Sequence, residues 1–392
     1  MNNFTQYAPT EVVFGKWTEN ETGKYVKKWG GTRAFLIYGG GSAVRSGLIE
    51  RVETSLEEEG IAYEALGGVK PNPRLSFAEE ARKKALRFGA DFIIGIGGGS
   101  SIDTAKAVAH GVANPDVPIW DFWTGKVKIT KTTPVAAVLT ISAAGSEMSN
   151  SAVLTNEENG QKRGFNEEIN RCKFAIMNPE LTFTLPDYQI ACGITDIMMH
   201  TMERYFIPGV KCRLTDEFAE GLLRTVIDNG RVVMKNKTDY DAMAEIMWAS
   251  SQSHNGLTGC GRDMDFSVHK FGQALGGMYD VAHGASLSAV WKAWAEYLYK
   301  DEPGRFSQFA RHVWGITEPD DLRAAEAGIH ATVSYFREIG MPTSLKELGV
   351  DPDEKAIEAL ALETTRGGNL KITKIKPVGY DEAIEIFKAA RE

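Results

Sequence analysis

The first half of the chain alternates short apolar runs with charged stretches of helical periodicity. Four apolar runs are predicted to be strands: Ala34–Tyr38, Asp91–Ile96, Val135–Leu139 and Lys173–Met177. Between them, Leu48–Glu59 and Phe77–Phe88 place apolar residues on one helical face and charges on the other. Because this alternation is typical of βαβ units, it predicts a mostly parallel sheet covered by helices.

After Pro186 the strand pattern fades and helical periodicity dominates. The predicted helices are Asp187–Tyr205, Asp216–Val233, Asp239–His254, Asp263–Met278, Leu287–Leu298 and Leu322–Ile339. The sequence therefore predicts an α/β domain over residues 1–185 and an all-helical domain over residues 186–392. The first apolar segment, Tyr7–Phe14, stands apart from the βα pattern and is predicted to form either a hairpin edge or an arm that reaches another subunit.

The composition agrees with the predicted two-domain fold and excludes some classes of function. A chain of 392 residues exceeds what one core usually absorbs, which agrees with two domains. Hydrophobic residues make up 43% and charged residues 24%, and the net charge is -8, so a nucleic-acid or membrane partner is disfavoured. The four cysteines form no CxxC pair, and the chain shows neither a signal peptide nor a long apolar run. We therefore expect a soluble cytoplasmic protein.

A glycine-rich turn follows the second predicted strand. Gly97, Gly98 and Gly99 turn the chain, and Ser100 or Ser101 is positioned to cap a helix that runs to about Gly111. Free N–H groups at such a helix start form an anion site that suits a pyrophosphate. The same glycines also suit a tight strand-to-helix turn without a ligand, and the residues alone leave both interpretations open.

The first predicted strand ends in a second glycine-rich turn, Gly39–Ser42. In open α/β sheets this turn meets the adenosine end of a dinucleotide, where NAD-binding sites carry a carboxylate for the ribose hydroxyls. Here Gly40, Gly41 and Ser42 supply no carboxylate, and Arg45 follows closely. The turn therefore favours NADP over NAD as the cofactor.

Four residues of the helical half have the spacing of a metal site. Asp196 and His200 lie four residues apart, which places both on one face of a helix. His269 lies on a later predicted helix, and His283 precedes a glycine that fits a bend turning its imidazole back toward the others. Three imidazoles and one carboxylate suit Fe²⁺ or Zn²⁺. Taken alone, a histidine on a helix is more often a capping or core residue than a metal ligand.

Several motifs occur together along most of the chain. They are Pro71-Asn72-Pro73, the run GGGSSIDTAK, Gly145-Ser146-Glu147, Asn178–Pro186, Asp196 with His200, and His269 with His283. In this order and spacing the chain resembles the iron-containing (group III) alcohol dehydrogenase family, in particular its butanol dehydrogenase-type branch. The resemblance implies a Rossmann-like dinucleotide-binding domain, a helical catalytic domain, a dehydroquinate synthase-like architecture and a metal held by Asp196, His200, His269 and His283.

The resemblance also implies which residues contact the cofactor. Gly97–Ser100 would hold the pyrophosphate, and Gly40 stands where NAD-specific relatives carry an aspartate. The other expected cofactor residues, most of them at the nicotinamide end, are Asn72, Asp103, Thr140, Ser149, Ser151, Lys162 and Leu181. Relatives often dimerise through an N-terminal strand, which gives Tyr7–Phe14 a role in a homodimer.

Two positions depart from the family pattern, and one of them is the threonine that relatives usually carry before Gly145-Ser146-Glu147, where this chain has Ala144. The other departure lies beside the proposed ligands. Relatives commonly carry a second histidine one helical turn after the third ligand, and this chain has Gln273 there. Because an amide does not relay protons as an imidazole does, we expect Gln273 to orient substrate or water in the catalytic site.

These observations predict a metal-dependent oxidoreductase that transfers hydride between NADP(H) and a small primary alcohol or aldehyde, such as butanol and butanal. Dehydroquinate synthase-like and glycerol-1-phosphate dehydrogenase-like enzymes are the alternative, but a phosphorylated polyol would require basic side chains near the ligand motifs. The neighbours of the ligands are mainly apolar, as in Ile197-Met198-Met199. A non-catalytic nucleotide-binding protein is the third alternative.

Overall fold

The structure, a computed structural model, describes residues 1–209 and 211–392. The chain forms two compact units, Tyr7–Leu185 and Pro186–Glu392, and the second unit also includes Met1–Gln6. Residues 1–6, which the sequence assigns to the first domain, therefore group with the helical unit.

The first unit is built on a parallel sheet. Its strands are β1 (Glu11–Phe14), β2 (Arg33–Tyr38), β3 (Ala62–Gly67), β4 (Phe92–Gly97), β5 (Val135–Leu139), β6 (Ser151–Asn156), β7 (Gln161–Asn166) and β8 (Phe174–Met177). Six of them form one sheet in the order β1-β8-β5-β4-β2-β3, and β6 pairs with β7 as an antiparallel hairpin. Every neighbouring pair in the larger sheet is parallel, which confirms the predicted fold class of this domain.

Helices join the strands of this unit. They are α1 (Thr22–Lys28), α2 (Ser42–Arg45), α3 (Leu48–Glu58), α4 (Leu75–Phe88), α5 (Gly99–Ala113) and α6 (Ile119–Trp123). All residues of β4 and β5 are buried, as expected for central strands of a parallel sheet that is covered on both faces. The four predicted strands begin and end within one residue of observed strands.

The connection from β3 to β4 creates a switch point in the sheet. The chain pairs β3 on one side of β2 and then returns to pair β4 on the other side. Ligands of open α/β sheets bind beyond the carboxyl ends of the strands at such a point. Both glycine-rich turns begin there, because Gly39 follows β2 and Gly98 follows β4.

The segment Tyr7–Phe14 contains β1, an edge strand and not part of a hairpin. Its residues pair in parallel with β8, in a register that runs from Glu11 opposite Phe174 to Phe14 opposite Met177. The hairpin interpretation is therefore wrong. A parallel partner distant in the sequence leaves no local turn signal.

The second unit is helical throughout its main elements. Its helices are α7 (Asp187–Tyr205), α8 (Arg213–Val233), α9 (Tyr240–His254), α10 (Ser267–Tyr279), α11 (His283–Leu298), α12 (Pro303–Trp314), α13 (Asp321–Glu338), α14 (Glu354–Thr364) and α15 (Tyr380–Ala389). Helix α7 is buried almost all round, which is typical of a central helix. No helix among the described residues is both long and apolar enough to cross a membrane.

A buried histidine, His110, couples the stability of the first unit to pH. Its Nδ1 lies 2.8 Å from Thr132 Oγ1 and its Nε2 lies 2.6 Å from Asn170 Oδ1. The Asn170 amide nitrogen already donates to two carbonyls, so Nε2 of His110 carries the proton. Burial lowers the pKa of His110 to about 4, despite the hydrogen bond to Asn170. The imidazole is therefore neutral in the folded protein near neutral pH.

Acid should weaken folding through this residue. The contribution of neutral His110 is fully present above its unfolded pKa of about 6.5 and is lost as pH falls toward the folded pKa of about 4. Across that window the unfolding free energy should fall by about 1.4 kcal/mol per pH unit. Urea unfolding of wild type and His110→Gln should show a stability difference that shrinks as the pH falls. Parallel curves for the two proteins would contradict this assignment.

Candidate metal centre and cofactor site

Three helices of the second unit bring the proposed metal ligands together. Asp196 and His200 lie one turn apart on α7, His269 lies in the first turn of α10, and His283 is the first residue of α11. From Asp196 Oδ1, the distances are 3.6 Å to His200 Nδ1, 3.4 Å to His269 Nε2 and 3.7 Å to His283 Nε2. The four side chains thus converge on one point, as the spacing predicts.

The donor atoms of this cluster fit a metal ion. Asp196, His200 and His269 are each at most 5% exposed, and their candidate ligand atoms all lie within 4.8 Å of one another. Asp196 Oδ1, His200 Nδ1 and His269 Nε2 find no hydrogen-bond partner within the described chain. Leaving three buried polar atoms unsatisfied is costly, and one cation between them would satisfy all three.

Glu203 orients one of these imidazoles and was not singled out from the sequence. One of its oxygens, Oε2, accepts a hydrogen bond from His269 Nδ1, which leaves Nε2 directed toward Asp196. The other oxygen, Oε1, accepts from the backbone N–H of Val268 at 2.5 Å and of His269 at 3.3 Å. This carboxylate–histidine pair is the usual outer support of a metal-binding imidazole. Glu203 lies three residues after His200, and this same-face spacing was the available signal.

The charges of the site differ between two of the histidines. Burial, reinforced by the neighbouring His254 and His269, lowers the pKa of His200 well below 6.5, so its imidazole is neutral. At His269 burial also lowers the pKa, but the carboxylates of Glu203 and Asp196 outweigh it and raise the value to about 9. Metal binding at His269 would therefore release a proton.

A close helix contact, and not a bend, places His283. Gly284 lies inside α11, and a Cβ atom at this position would come within 2.2 Å of the Cys192 carbonyl oxygen on α7. The glycine therefore lets two helix backbones approach closely, which brings His283 to Asp196. The predicted bend is wrong, because α11 begins four residues earlier than the sequence pattern indicates.

Gln273 lies on α10, four residues after His269, and is half-buried. This spacing places it on the same helical face as the ligand. Its role in the catalytic site stays a prediction.

The cofactor residues predicted from the glycine-rich turns lie at one edge of the sheet. Gly40, Gly41 and Ser42 follow β2, and Gly98–Ser100 follow the neighbouring β4, which ends at Gly97. Thr140 follows β5, and its backbone N–H donates to the Gly97 carbonyl at 3.0 Å. Parallel strands direct these three carboxyl ends to the same side, where helix α5 also begins.

The turn after β4 requires its glycines. Gly97 has φ of 149°, and a Cβ atom on Gly98 would lie 2.0 Å from Ile141 Cγ2. Helix α5 begins at Gly99 with Gly98 at the N-cap, and no side chain caps it. The expected cap by Ser100 or Ser101 is therefore wrong. The uncapped N–H groups at this helix start remain suited to an anion.

The turn after β2 carries a cation and no carboxylate. A Cβ atom on Gly41 would lie 2.5 Å from an Arg45 guanidinium nitrogen, so this guanidinium lies against the turn. A Cβ atom on Gly40 would meet nothing within 4 Å. Both glycines and Arg45 are exposed.

Asn72 and Lys162 connect the β6–β7 hairpin to the segment before α4. Buried Lys162 Nζ donates to Asn72 Oδ1 at 2.9 Å, and the Thr155 backbone N–H donates to the Pro73 carbonyl at 2.7 Å. The structure thus brings together two of the predicted cofactor residues from positions far apart in the sequence.

Asp103, Ser149 and Ser151 belong to a buried polar network around Lys106. Asp103 accepts hydrogen bonds from Ser146 Oγ at 2.5 Å and from the Val153 backbone N–H at 2.9 Å. Lys106 Nζ donates to the carbonyls of Ser146, Ser149 and Ser151 and to Ser146 Oγ. Burial lowers the pKa of Lys106. Lys106 had no role predicted from the sequence, although a lysine on an otherwise buried helix face was a usable signal.

Leu181 lies in a 3₁₀-helix, Pro179–Thr182, that follows β8. Its side chain is partly buried and packs against the hydrophobic core of the α/β unit. The proposed metal ligands thus lie in the helical unit, and the predicted cofactor residues lie in the α/β unit.

Comparison with known proteins gives matches along the whole chain. A profile described as "Iron-containing alcohol dehydrogenase" matches residues 9–179, and one described as "Fe-containing alcohol dehydrogenase family, C-terminal" matches residues 190–391. NADH-dependent butanol dehydrogenase A of Clostridium acetobutylicum is 38% identical, with 99% of each chain covered. NADPH-dependent aldehyde reductase YqhD of Escherichia coli is 32% identical, with 100% of each covered.

A solved structure shows the same similarity in three dimensions. The crystal structure of NADH-dependent butanol dehydrogenase A from Thermotoga maritima aligns with a TM-score of 0.96 and 34% identity. The alignment covers 100% of this chain and 99% of that one.

Proposed function

The chain belongs to the iron-containing alcohol dehydrogenase family and is an alcohol/aldehyde oxidoreductase, and we propose that it reduces small primary aldehydes such as butanal with NADPH. We further propose that one divalent metal, held by Asp196, His200, His269 and His283, is required. The proposal is supported by the convergence of these four side chains, together with buried ligand atoms of Asp196, His200 and His269 that have no hydrogen-bond partner within the described chain.

The donor set favours Fe²⁺ or Zn²⁺. Three imidazole nitrogens and one carboxylate oxygen suit these ions, whereas Mg²⁺ and Ca²⁺ prefer more oxygen ligands. When bound, such a metal supplies Lewis-acid polarisation of a carbonyl or hydroxyl oxygen. Glu203 contributes by holding His269 in the orientation that presents Nε2, and Gln273 would orient substrate or water from the same helical face.

The surroundings of the ligands support a small uncharged substrate. Ile197, Met198 and Met199 are fully buried on α7 beside Asp196 and His200. The basic residues near the ligand motifs are engaged in other contacts: Arg262 pairs with Asp216 at 2.5 Å, Lys270 donates to the Phe266 carbonyl at 3.4 Å, and Arg204 donates to the His200 carbonyl at 2.7 Å. A phosphorylated polyol, the substrate class of the alternative function, would need such cations free.

The proposed preference for NADP(H) depends on the turn after β2. The turn offers the Arg45 guanidinium and leaves Gly40 without a carboxylate, an arrangement that accepts the 2′-phosphate. The relatives differ, because the C. acetobutylicum butanol dehydrogenase is described as NADH-dependent and YqhD as NADPH-dependent.

Gly40→Asp should therefore shift the preference toward NADH. The new carboxylate enters open space and repels the 2′-phosphate, so kcat/KM with NADPH should fall roughly tenfold or more relative to NADH, or about 1.4 kcal/mol. Steady-state kinetics with both cofactors measure this ratio. Gly40→Asn is the matched control, because it adds the same volume without the charge. Equal effects of the two substitutions, or a wild-type preference for NADH, would contradict the proposal.

The proposed activity is tested by following NADPH absorbance with butanal. Turnover should occur with the purified protein, stop after treatment with a chelator, and return on addition of Fe²⁺ or Zn²⁺. Turnover that persists in verified metal-free protein would overturn the metal requirement. Binding of NADPH without turnover of any aldehyde or alcohol, with metal present, would favour the non-catalytic alternative.

We also propose a homodimer that forms through the N-terminal strand. β1 is an edge strand of the six-stranded sheet, and an edge strand is the element through which two sheets most readily pair. Light scattering should give the mass of two chains. A monomer at assay concentrations would contradict this proposal.

A further inference from the structure

Three imidazole rings form a continuous stack beside the candidate metal position. The rings of His269 and His200 are stacked with centroids 4.5 Å apart and planes at 23°. On the other face of this pair, the ring of His254 stacks on His200 with centroids 4.1 Å apart and planes at 28°. His200 is thus the middle ring, between a second proposed ligand and a histidine that has no assigned role.

Two consecutive residues of α7 hold the two ends of the stack. Glu203 accepts the hydrogen bond from His269 Nδ1 at one end. Arg204 donates from its guanidinium to His254 Nδ1 at 2.7 Å at the other end. Two neighbouring side chains of α7 therefore fix the outer rings. Glu203 accepts a hydrogen bond from one ring, and Arg204 donates a hydrogen bond to the other.

The middle ring is held differently. The imidazole of His200 makes no hydrogen bond to any described residue, and its Nδ1 is among the buried atoms without a partner. The χ2 torsion of histidine has a broad energy minimum, so a ring without hydrogen bonds needs packing to fix its plane. The two stacked neighbours supply that packing. The ring of Phe266 also packs against His200 in an edge-to-face arrangement, with the ring centroids 6.2 Å apart.

Arg204 is buried beside the three stacked rings and contacts the backbone as well as His254. It is 3% exposed, and the same guanidinium also donates to the backbone carbonyls of His200 at 2.7 Å and Ser253 at 2.9 Å. Its charged group lies over the Phe266 ring at 4.6 Å. One buried cation thus connects the backbone of the proposed ligand to the ring that stacks on it.

We propose that His254, held by Arg204, is a positioning residue that fixes the imidazole plane of His200 for metal binding. This inference rests on the proposed metal set. His254 orients the imidazole of His200 through ring stacking, and Glu203 orients the imidazole of His269 through a hydrogen bond. Loss of such outer support typically lowers metal affinity about 10–100-fold.

Two substitutions separate the ring from its hydrogen bond. His254→Gln retains an acceptor for Arg204 but removes the ring, whereas His254→Phe retains a stacking ring and removes the acceptor. The probe is Co²⁺, titrated into the metal-free proteins and followed by its visible absorption bands, with folding checked by circular dichroism. His330→Gln, at an exposed histidine of α13, is the matched control.

We expect His254→Gln to bind Co²⁺ about 10–100-fold more weakly than wild type, with altered band positions. His254→Phe should stay within roughly threefold of wild type, and the control should be unchanged. Wild-type affinity and spectrum in folded His254→Gln would overturn the inference, as would equal weakening in the two His254 variants. Failure of wild-type protein to bind Co²⁺ at all would instead overturn the proposed metal site.

Discussion

His269→Ala should yield a folded protein that retains no metal and turns over aldehyde at least about 10³-fold more slowly. The substitution removes one of the donor atoms that converge on Asp196 Oδ1. Lewis-acid stabilisation is worth several kcal/mol, and each 1.36 kcal/mol corresponds to a tenfold change in rate. Metal content by elemental analysis and NADPH-linked turnover of butanal are the measurements.

The variant should fold because the supporting carboxylate keeps its other partners. Glu203 still accepts hydrogen bonds from the backbone N–H groups of residues 268 and 269. His283→Ala should behave in the same direction, and His330→Ala is the control for loss of a histidine elsewhere in the helical unit. Full turnover by metal-free His283→Ala protein would contradict the proposed ligand set.

Gly284→Ala should damage both stability and metal binding. The added methyl group would lie 2.2 Å from the Cys192 carbonyl oxygen and 2.7 Å from the carbonyl carbon, and backbone atoms cannot rotate away. Helix α11 must therefore move from α7, which takes His283 away from Asp196. Overpacking of this kind costs about 1–3 kcal/mol in unfolding free energy, and Co²⁺ affinity should fall with it.

Gly221→Ala is the matched control for this substitution. Gly221 lies within α8, and the nearest atom to an added Cβ is a terminal guanidinium nitrogen of Arg224 at 3.9 Å. Alanine is favoured over glycine inside a helix by roughly 0.5–1 kcal/mol, so this variant should be as stable as wild type or more stable. Urea unfolding of both variants gives the comparison. Wild-type stability and Co²⁺ affinity in Gly284→Ala would show that the helix contact does not place the ligand.

Two of the four proposed metal ligands were accessible from the sequence because their spacing is local. Asp196 and His200 share a helix, and the helical period alone places them together. What orients the rings was not accessible in the same way. The bond between Glu203 and His269 and the stack of His254 on His200 depend on how α7, α9 and α10 pack, and no local pattern specifies that packing.

The strands of the sheet also differ in how well their own sequences predict them. Strands β4 and β5 are continuous apolar runs because both faces of the sheet are covered, and the sequence predicted them. Strand β3 lies at the sheet edge with several exposed residues, and its weak alternation predicted no strand. Strand β1 lies near the start of the α/β unit and pairs with β8, which lies near its end. The sequence around β1 therefore gave no indication of its partner strand.

The buried polar network also shows a limit of sequence reasoning. Lys106 is fully buried and is satisfied by carbonyls that lie about 40 residues later in the chain. The family resemblance implied that Asp103 contacts the cofactor, whereas in the structure its two oxygens accept hydrogen bonds from Ser146 Oγ and from the Val153 backbone N–H. Its proposed cofactor role must therefore operate through these bonded neighbours or in addition to them.

We propose that Asp196, His200, His269 and His283 together bind one metal ion. The most direct test is a crystal of the protein with NADP⁺, with anomalous scattering recorded at the iron and zinc absorption edges. We expect a single anomalous peak about 2.0–2.2 Å from one carboxylate oxygen and three imidazole nitrogens of these residues. An active, metal-containing protein whose crystals show no peak there, or a peak at another group of side chains, would contradict it.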